Sequence, residues 1–180
     1  MRILFAALIA LVATTDQSAV DRFNYSVDQY AQLRADIEAA LGAPSVFNGL
    51  EAAQASAADL ARALRIARRT AAEGDIFTPE VAHLFGRTLA NALVESELDA
   101  EDLLAAMQTD TEEGAWPPVV NGSFSWQLGN IMPPSILAAL PPLPPDMEYR
   151  LVGPDLVLIH LRSNLIVDIL REALPETTMV

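Results

Sequence analysis

Three short apolar runs of equal length close the chain. They are MEYRLV at 147–152, LVLIHL at 156–161 and LIVDIL at 165–170, separated by Gly153-Pro154-Asp155 and Arg162-Ser163-Asn164. Short runs rich in Val, Ile, Leu and Tyr between turn residues predict strands, and three in close succession predict an antiparallel meander. With three-residue loops, Val152 stands opposite Leu156 and Leu161 opposite Leu165, so odd-numbered side chains share one face. That face would carry Met147, Tyr149, Leu151, Val157, Ile159, Leu161, Leu165, Val167 and Ile169, all apolar or aromatic, and is expected to pack on the helices. The even face would carry Glu148, Arg150, His160 and Asp168 among Val152, Leu156, Leu158, Ile166 and Leu170. A two-residue loop at either turn would break this segregation.

The preceding half has the 3.6-residue period of helices. Tyr30, Leu33, Ile37, Ala40 and Leu41 form one stripe, with Ser26 and Gln29 ahead of it as a capping box and Gly42 as a stop. Residues 50–72 are alanine-rich and contain no proline or glycine. They predict a second helix with Leu60, Leu64 and Ala67 inward and Arg62, Arg65, Arg68 and Arg69 on the wet side; Gly74 stops the segment. At Thr78-Pro79-Glu80, threonine caps, proline suits the first helical position and glutamate complements the dipole. Val81, Leu84, Phe85, Leu89, Ala92 and Leu93 then form a third buried stripe. Asp99 caps a fourth, short helix carrying Leu103, Leu104 and Met107. Eight of the twelve prolines fall between 117 and 145, which predicts an extended connection. Pro133-Pro134-Ser135 can start one helical turn through Ile136, Leu137 and Leu140. Trp116 and Trp126 mark this connection as a loop packed on the body, covering the even sheet face; uncovered, those aliphatics would form a patch for a partner. The fold class is α+β, with N-terminal helices packed on a C-terminal three-stranded antiparallel meander.

The first residues read as an address. Met1-Arg2 is followed by ten uninterrupted apolar residues at 3–12 (ILFAALIALV), then Ala13, Thr14, Thr15 and Asp16. A positive start, a short apolar core and small residues are the order of a secretory signal. A membrane-spanning helix needs about 20 apolar residues, so no stable span is expected after cleavage. The leader is assigned to 1–15, with the cut between 13 and 19, and a single acidic domain to 16–180. The expected location is periplasmic or extracellular. A retained leader acting as a tether, or a buried first helix, are the alternatives.

Composition removes whole classes of chemistry. The chain has no cysteine, which excludes disulfides, Cys-ligated zinc, iron–sulfur clusters and thiol nucleophiles. All eleven basic residues are arginine, so Schiff-base lysine chemistry is absent. A net charge of −13 repels a phosphate backbone and argues against nucleic acid.

Several stretches carry a resemblance. They are AAEGDIFTPEV at 71–81, LAALPPLPP at 137–145 running into Glu148-Tyr149-Arg150, then Val152-Gly153, DLVL at 155–158 and NLIVD at 164–168. The chain resembles a group of uncharacterised exported bacterial proteins that pair a signal and helices with a proline-rich segment and C-terminal strands. The last 45 or so residues carry most of the likeness, and 121–131 depart from it. The resemblance implies export and this architecture, and no reaction, ligand or catalytic residue.

Candidate chemistry is sparse. His83 falls on the polar side of the third helix. His160 would lie opposite Glu148, with Arg150 and Asp168 flanking Leu158. A histidine beside carboxylates can do general acid–base work, or it can be an ordinary cross-strand ion pair. The candidate catalytic residues are therefore His160, Glu148, Asp168 and Arg150. Asn121-Gly122-Ser123-Phe124-Ser125 is only faintly like a nucleophile elbow, and Asn24-Tyr25-Ser26 and Asn121-Gly122-Ser123 match glycosylation triplets. The acidic groups Asp99, Glu101, Asp102 and Asp110, Glu112, Glu113 lack calcium-loop spacing. No cofactor and no metal are expected. The leading expectation is a non-catalytic protein that binds a partner protein or envelope component, or serves as a structural one. The rival is a small hydrolase or acid–base enzyme built on His160 with Glu148 or Asp168.

Overall fold

The computed structural model describes residues 2–42, 49–107, 117–126 and 132–174. Helices come first, α1 (Arg2–Leu41), α2 (Gly49–Ala67), α3 (Pro79–Glu95), α4 (Ala100–Met107) and α5 (Pro134–Ala139), and the strands β1 (Met147–Val152), β2 (Asp155–His160) and β3 (Leu165–Leu170) follow. The strands form one antiparallel sheet in the order β1-β2-β3. The chain is an α+β protein, as its period change from 3.6 to 2 implies.

The helix α1 runs through Ser26 without a break, so the Ser26–Gln29 pair is not a cap. Ala19, Phe23, Val27 and Tyr30 are all buried. They extend the apolar stripe upstream at helical spacing, and no proline or glycine between 16 and 25 interrupts it. Gly42, at φ +80°, ends the helix with its N–H on the Glu38 carbonyl. The second helix stops at Ala67 and not Ala72; the Arg68 carbonyl beyond it accepts from the Asn121 side chain. Ala67 is exposed and Ala61 takes its place in the buried stripe. Pro79 opens α3 as expected, although Thr78 Oγ1 donates to Glu80 Oε2 at 3.0 Å instead of capping. Asp99 does cap α4, accepting from the Glu101 N–H at 2.7 Å. Leu103 and Leu104 pack at the core's margin.

Phe23, Phe77, Phe85 and Tyr149 join α1, the 71–78 loop, α3 and β1 at the centre of the core. Ring centroids are 4.9 Å apart for Phe23–Phe85 and 5.4 Å for Phe77–Phe85. Phe23 and Phe85 are fully buried, and each such side chain stabilises the fold by about 1.5–3 kcal/mol.

The sheet register differs from the expectation. Val152 pairs with Asp155, so the first loop is the two-residue Gly153-Pro154, with Gly153 at φ +57°. Glycine at the first central position suits a two-residue hairpin. Odd β1 positions therefore share a face with even β2 positions. A bulge opposite Leu158/Ile159 then switches parity within β3. The helix-facing side carries Met147, Tyr149, Leu151, Leu156, Leu158, Leu165, Val167 and Leu170, while Val157, Ile159 and Ile169 lie on the outer side. The all-odd inner face is thus corrected.

The outer face is covered. Val152, Val157, Ile159, Ile166 and Ile169 are buried together with Phe124, and Val120 packs beside them. The 117–126 segment reaches there by pairing with the free edge of β3. The Asn121 N–H donates to the Ile166 carbonyl (2.9 Å), the Ile166 N–H to Gly122 (3.0 Å), and the Phe124 N–H to Asn164 (3.0 Å). This strap satisfies an edge that would otherwise be open to another chain. Its turn is tight. A Cβ on Gly122 would sit 2.8 Å from the Val119 carbonyl oxygen, so only glycine fits. Trp126 remains 47% exposed, against Phe124 and under the Arg150 guanidinium. Trp116 and the acidic Asp110, Glu112 and Glu113 lie outside the described residues.

Candidate site around His160 and the groove beside the last turn

The new register separates the expected quartet. His160 pairs with Met147 and faces the helices, whereas Glu148 pairs with Ile159 on the outer face. Arg150 is also on the outer face, where it binds Glu148 at 2.8 Å and stacks on Trp126. Asp168 shares the helix-facing side with His160 but pairs with Leu158, further along the sheet. His160 therefore meets neither Glu148 nor Asp168 as a hydrogen-bonded partner: the shorter first loop moves Glu148 to the outer face, while Asp168 keeps its expected place opposite Leu158, two residues along β2 from His160.

Asp168 is fully buried and its two carboxylate oxygens collect four backbone N–H groups. Gly74 (3.0 Å) and Ile169 (2.8 Å) donate to Oδ1, and Ile76 and Phe77 (both 2.7 Å) to Oδ2. The bulge aims this side chain at the 74–77 loop, and Gly74, at φ +88°, lets that loop turn its N–H groups inward. Burial pushes the Asp168 carboxyl above its ordinary value while the four N–H groups pull it back.

The bulge also frees the Val167 carbonyl, which accepts from Arg68 Nη2 at 2.7 Å. Arg68 Nη1 donates to Asn121 Oδ1 (2.9 Å), Asn121 Nδ2 returns a bond to the Arg68 carbonyl (2.7 Å), and the guanidinium lies 5.1 Å from the centre of the Tyr30 ring. Arg65 holds the same turn, with Nε on the Asn121 carbonyl and Nη2 on Ser123 Oγ, both at 2.9 Å. The expectation that Arg65 and Arg68 mark a wet helix side is corrected: both reach inward to fix the strap.

His160 is fully buried. Its Nδ1 lies 2.6 Å from Ser163 Oγ, and its Nε2 lies 3.7 Å from Asp146 Oδ2. Asp146 is in turn paired with Arg34 of α1. Tyr30 meets the imidazole edge-on at 6.0 Å. Burial above all, then the Arg34 charge, lowers the imidazole pKa to about 4. Sequence reasoning missed Ser163 and Asp146. Ser163 stands three residues from His160 across a turn, and that spacing was the available signal.

The depressed histidine sets a pH dependence. An unfolded histidine takes a proton near pH 6.5 while the native ring does not until about pH 4. Its contribution is therefore complete above 6.5 and is lost as pH falls towards 4, by about 3 kcal/mol in all. In urea unfolding at pH 7 and pH 4, the wild type should lose that much more stability than His160→Gln. An equal loss in the two proteins would refute the assignment.

A groove of about 440 Å³ opens beside the last turn, between α2 and residues 162–164. Ala57 and Ala61 form its floor, Arg62, Arg65 and Arg162 its rim, and Ser163 part of its wall. His83 is exposed on α3, away from these groups in sequence and on the polar side expected. Among the described residues, no cluster of His, Asp and Glu could hold a metal ion, and no helix is long and apolar enough to cross a membrane.

No protein-family model, curated protein or solved structure matches this chain.

Proposed function

We propose that this protein is an exported, non-catalytic binding protein of the bacterial envelope. The observation that carries the reading is the fate of its polar sheet residues. His160 and Asp168 are fully buried and engaged inside the fold, and Glu148 and Arg150 pair with each other on the opposite face. A histidine held near pKa 4 is also a weak general base at neutral pH. The leader pattern of residues 1–15 supports export. Asp16 pairs with Arg87 of α3, and Ala19 is buried. These contacts favour a cut before Asp16 over one after Ala19. The acidic surface suits a protein or small-molecule partner and not nucleic acid. Membership of the exported group that the C-terminal segments resemble belongs to the same proposal.

One observation favours a second reading. Ser163, His160 and Asp146 follow one another at 2.6 and 3.7 Å, and Ser163 lines the groove. Those are the residue types of a nucleophile, a base and an orienting carboxylate. Against it, Ser163 is only 5% exposed and its base is poor. Intact mass of the secreted product, before and after treatment with a fluorophosphonate, tests both readings. The expected mass is that of a chain cut between 13 and 15, unchanged by the probe. A cytoplasmic full-length product would defeat export. An adduct that disappears in Ser163→Ala would establish the hydrolase.

A further inference from the structure

The groove beside the last turn has a chemical character opposite to that of the rest of the chain. The protein has 24 acidic residues against 11 arginines, yet three arginines and no carboxylate line this one hollow. They come from two distant parts of the sequence: Arg62 and Arg65 from α2, and Arg162 from the β2–β3 turn. Resting on the reading that this is a binding protein, we propose that the groove holds a small amphiphilic carboxylate, with its head among these arginines and its apolar body on the alanine floor.

The arginines are poised for that task in different ways. Arg65 is fixed by Asn121 and Ser123 through Nε and Nη2, so its position is set before any ligand arrives, while Nη1 has no part in either bond. Arg62 binds Asp59 and Arg162 binds Glu38, each through Nη1 at 2.8 Å, with the two guanidinium side chains 69% and 45% exposed. Such exposed pairs are worth only about 0–1 kcal/mol. Their remaining N–H groups are available to a carboxylate, which a guanidinium grips through two parallel bonds.

The floor decides between a bare anion and an amphiphile. Ala57 and Ala61 offer methyl groups and no donors, so a hydrated inorganic ion would gain little there. The volume falls within the range of about 300–1,000 Å³ usual for small-molecule sites. Arg162 also borders a second hollow of about 290 Å³, lined by its partner Glu38 together with Leu41 and Leu60.

Anilinonaphthalene sulfonate, an anion on an apolar body, is the direct probe. Its fluorescence should rise saturably with one site per natively folded chain, and decanoate should displace it while decyltrimethylammonium does not. The double variant Arg62→Gln/Arg162→Gln should weaken binding at least tenfold. Ala58 also lines the groove, and Ala58→Trp, which blocks it without touching a charge, should abolish binding; near-UV circular dichroism checks that both variants are folded. Absence of saturable binding, equal displacement by the cationic detergent, or wild-type affinity in the folded variants would overturn the proposal. None of those results yields a fluorophosphonate adduct, so the groove and the non-catalytic reading fail separately.

Discussion

Replacing Asp168 by alanine is expected to lower the unfolding free energy by about 3–5 kcal/mol, the range for removing one partner from a buried ionic arrangement. The loss has a specific origin. Four backbone N–H groups, from Gly74, Ile76, Phe77 and Ile169, lose their acceptor at once. Three of them belong to the loop that carries Ile76 and Phe77 into the core, so the loop must open to find water. Asp168→Asn should fall between alanine and wild type. An amide oxygen can serve one pair of donors, but its NH₂ then faces the other pair. A total stability of about 5–15 kcal/mol is usual for a domain, so either change takes a large share. Urea unfolding measures both losses, and amide exchange at Ile76 and Phe77 should speed up more than exchange elsewhere in the core. A loss below about 1 kcal/mol for the alanine variant would mean that the carboxylate is dispensable.

Arg68→Met should cost about 2–4 kcal/mol through a different route. It leaves the Val167 carbonyl without its donor, removes the contact with the Tyr30 ring and releases Asn121. It also removes a cation whose field reaches Asp168. Lysine should rescue little, because a point charge cannot hold Asn121 and Val167 together as a planar fork does. The strap should loosen selectively, with faster exchange at the Phe124 amide. A double-mutant cycle with Asn121→Ala should give a coupling of about 1–3 kcal/mol. Additive losses would show that Arg68 does not hold the strap.

Both effects depend on features that the sequence hides. The three strands were readable almost to the residue, because each is a six-residue apolar run between turn residues. The Pro79 helix start and the Asp99 cap were readable for the same local reason. The register was not. Asp155 can end a three-residue loop or begin a strand, and only pairing across the sheet decides. The bulge in β3 leaves no mark on LIVDIL, yet it sets which way Asp168 points. Asp168's loop donors lie more than 90 positions upstream, and Arg68 meets Asn121 across 53; no periodic pattern records such meetings. Asn121-Gly122 did carry a signal, since that dipeptide marks tight turns. Considered as part of a serine elbow or a glycosylation triplet, it pointed away from its role in the strap.

The apparent site was a consequence of the same register error. With one residue fewer in the first loop, Glu148 crosses to the outer face and His160 turns inward to Ser163. On the proposed binding reading, the arginine-rimmed groove is the candidate surface.

The central claim is that His160 is a sealed structural group. Its imidazole titration, followed by NMR on the folded protein with the His83 signal assigned through His83→Gln, tests that claim most directly. The account predicts that His160 keeps one unprotonated chemical shift from pH 8 down to pH 5 and begins to titrate only towards pH 4. A midpoint near 6.5–7, with rapid exchange of the ring proton, would describe an accessible base and contradict it.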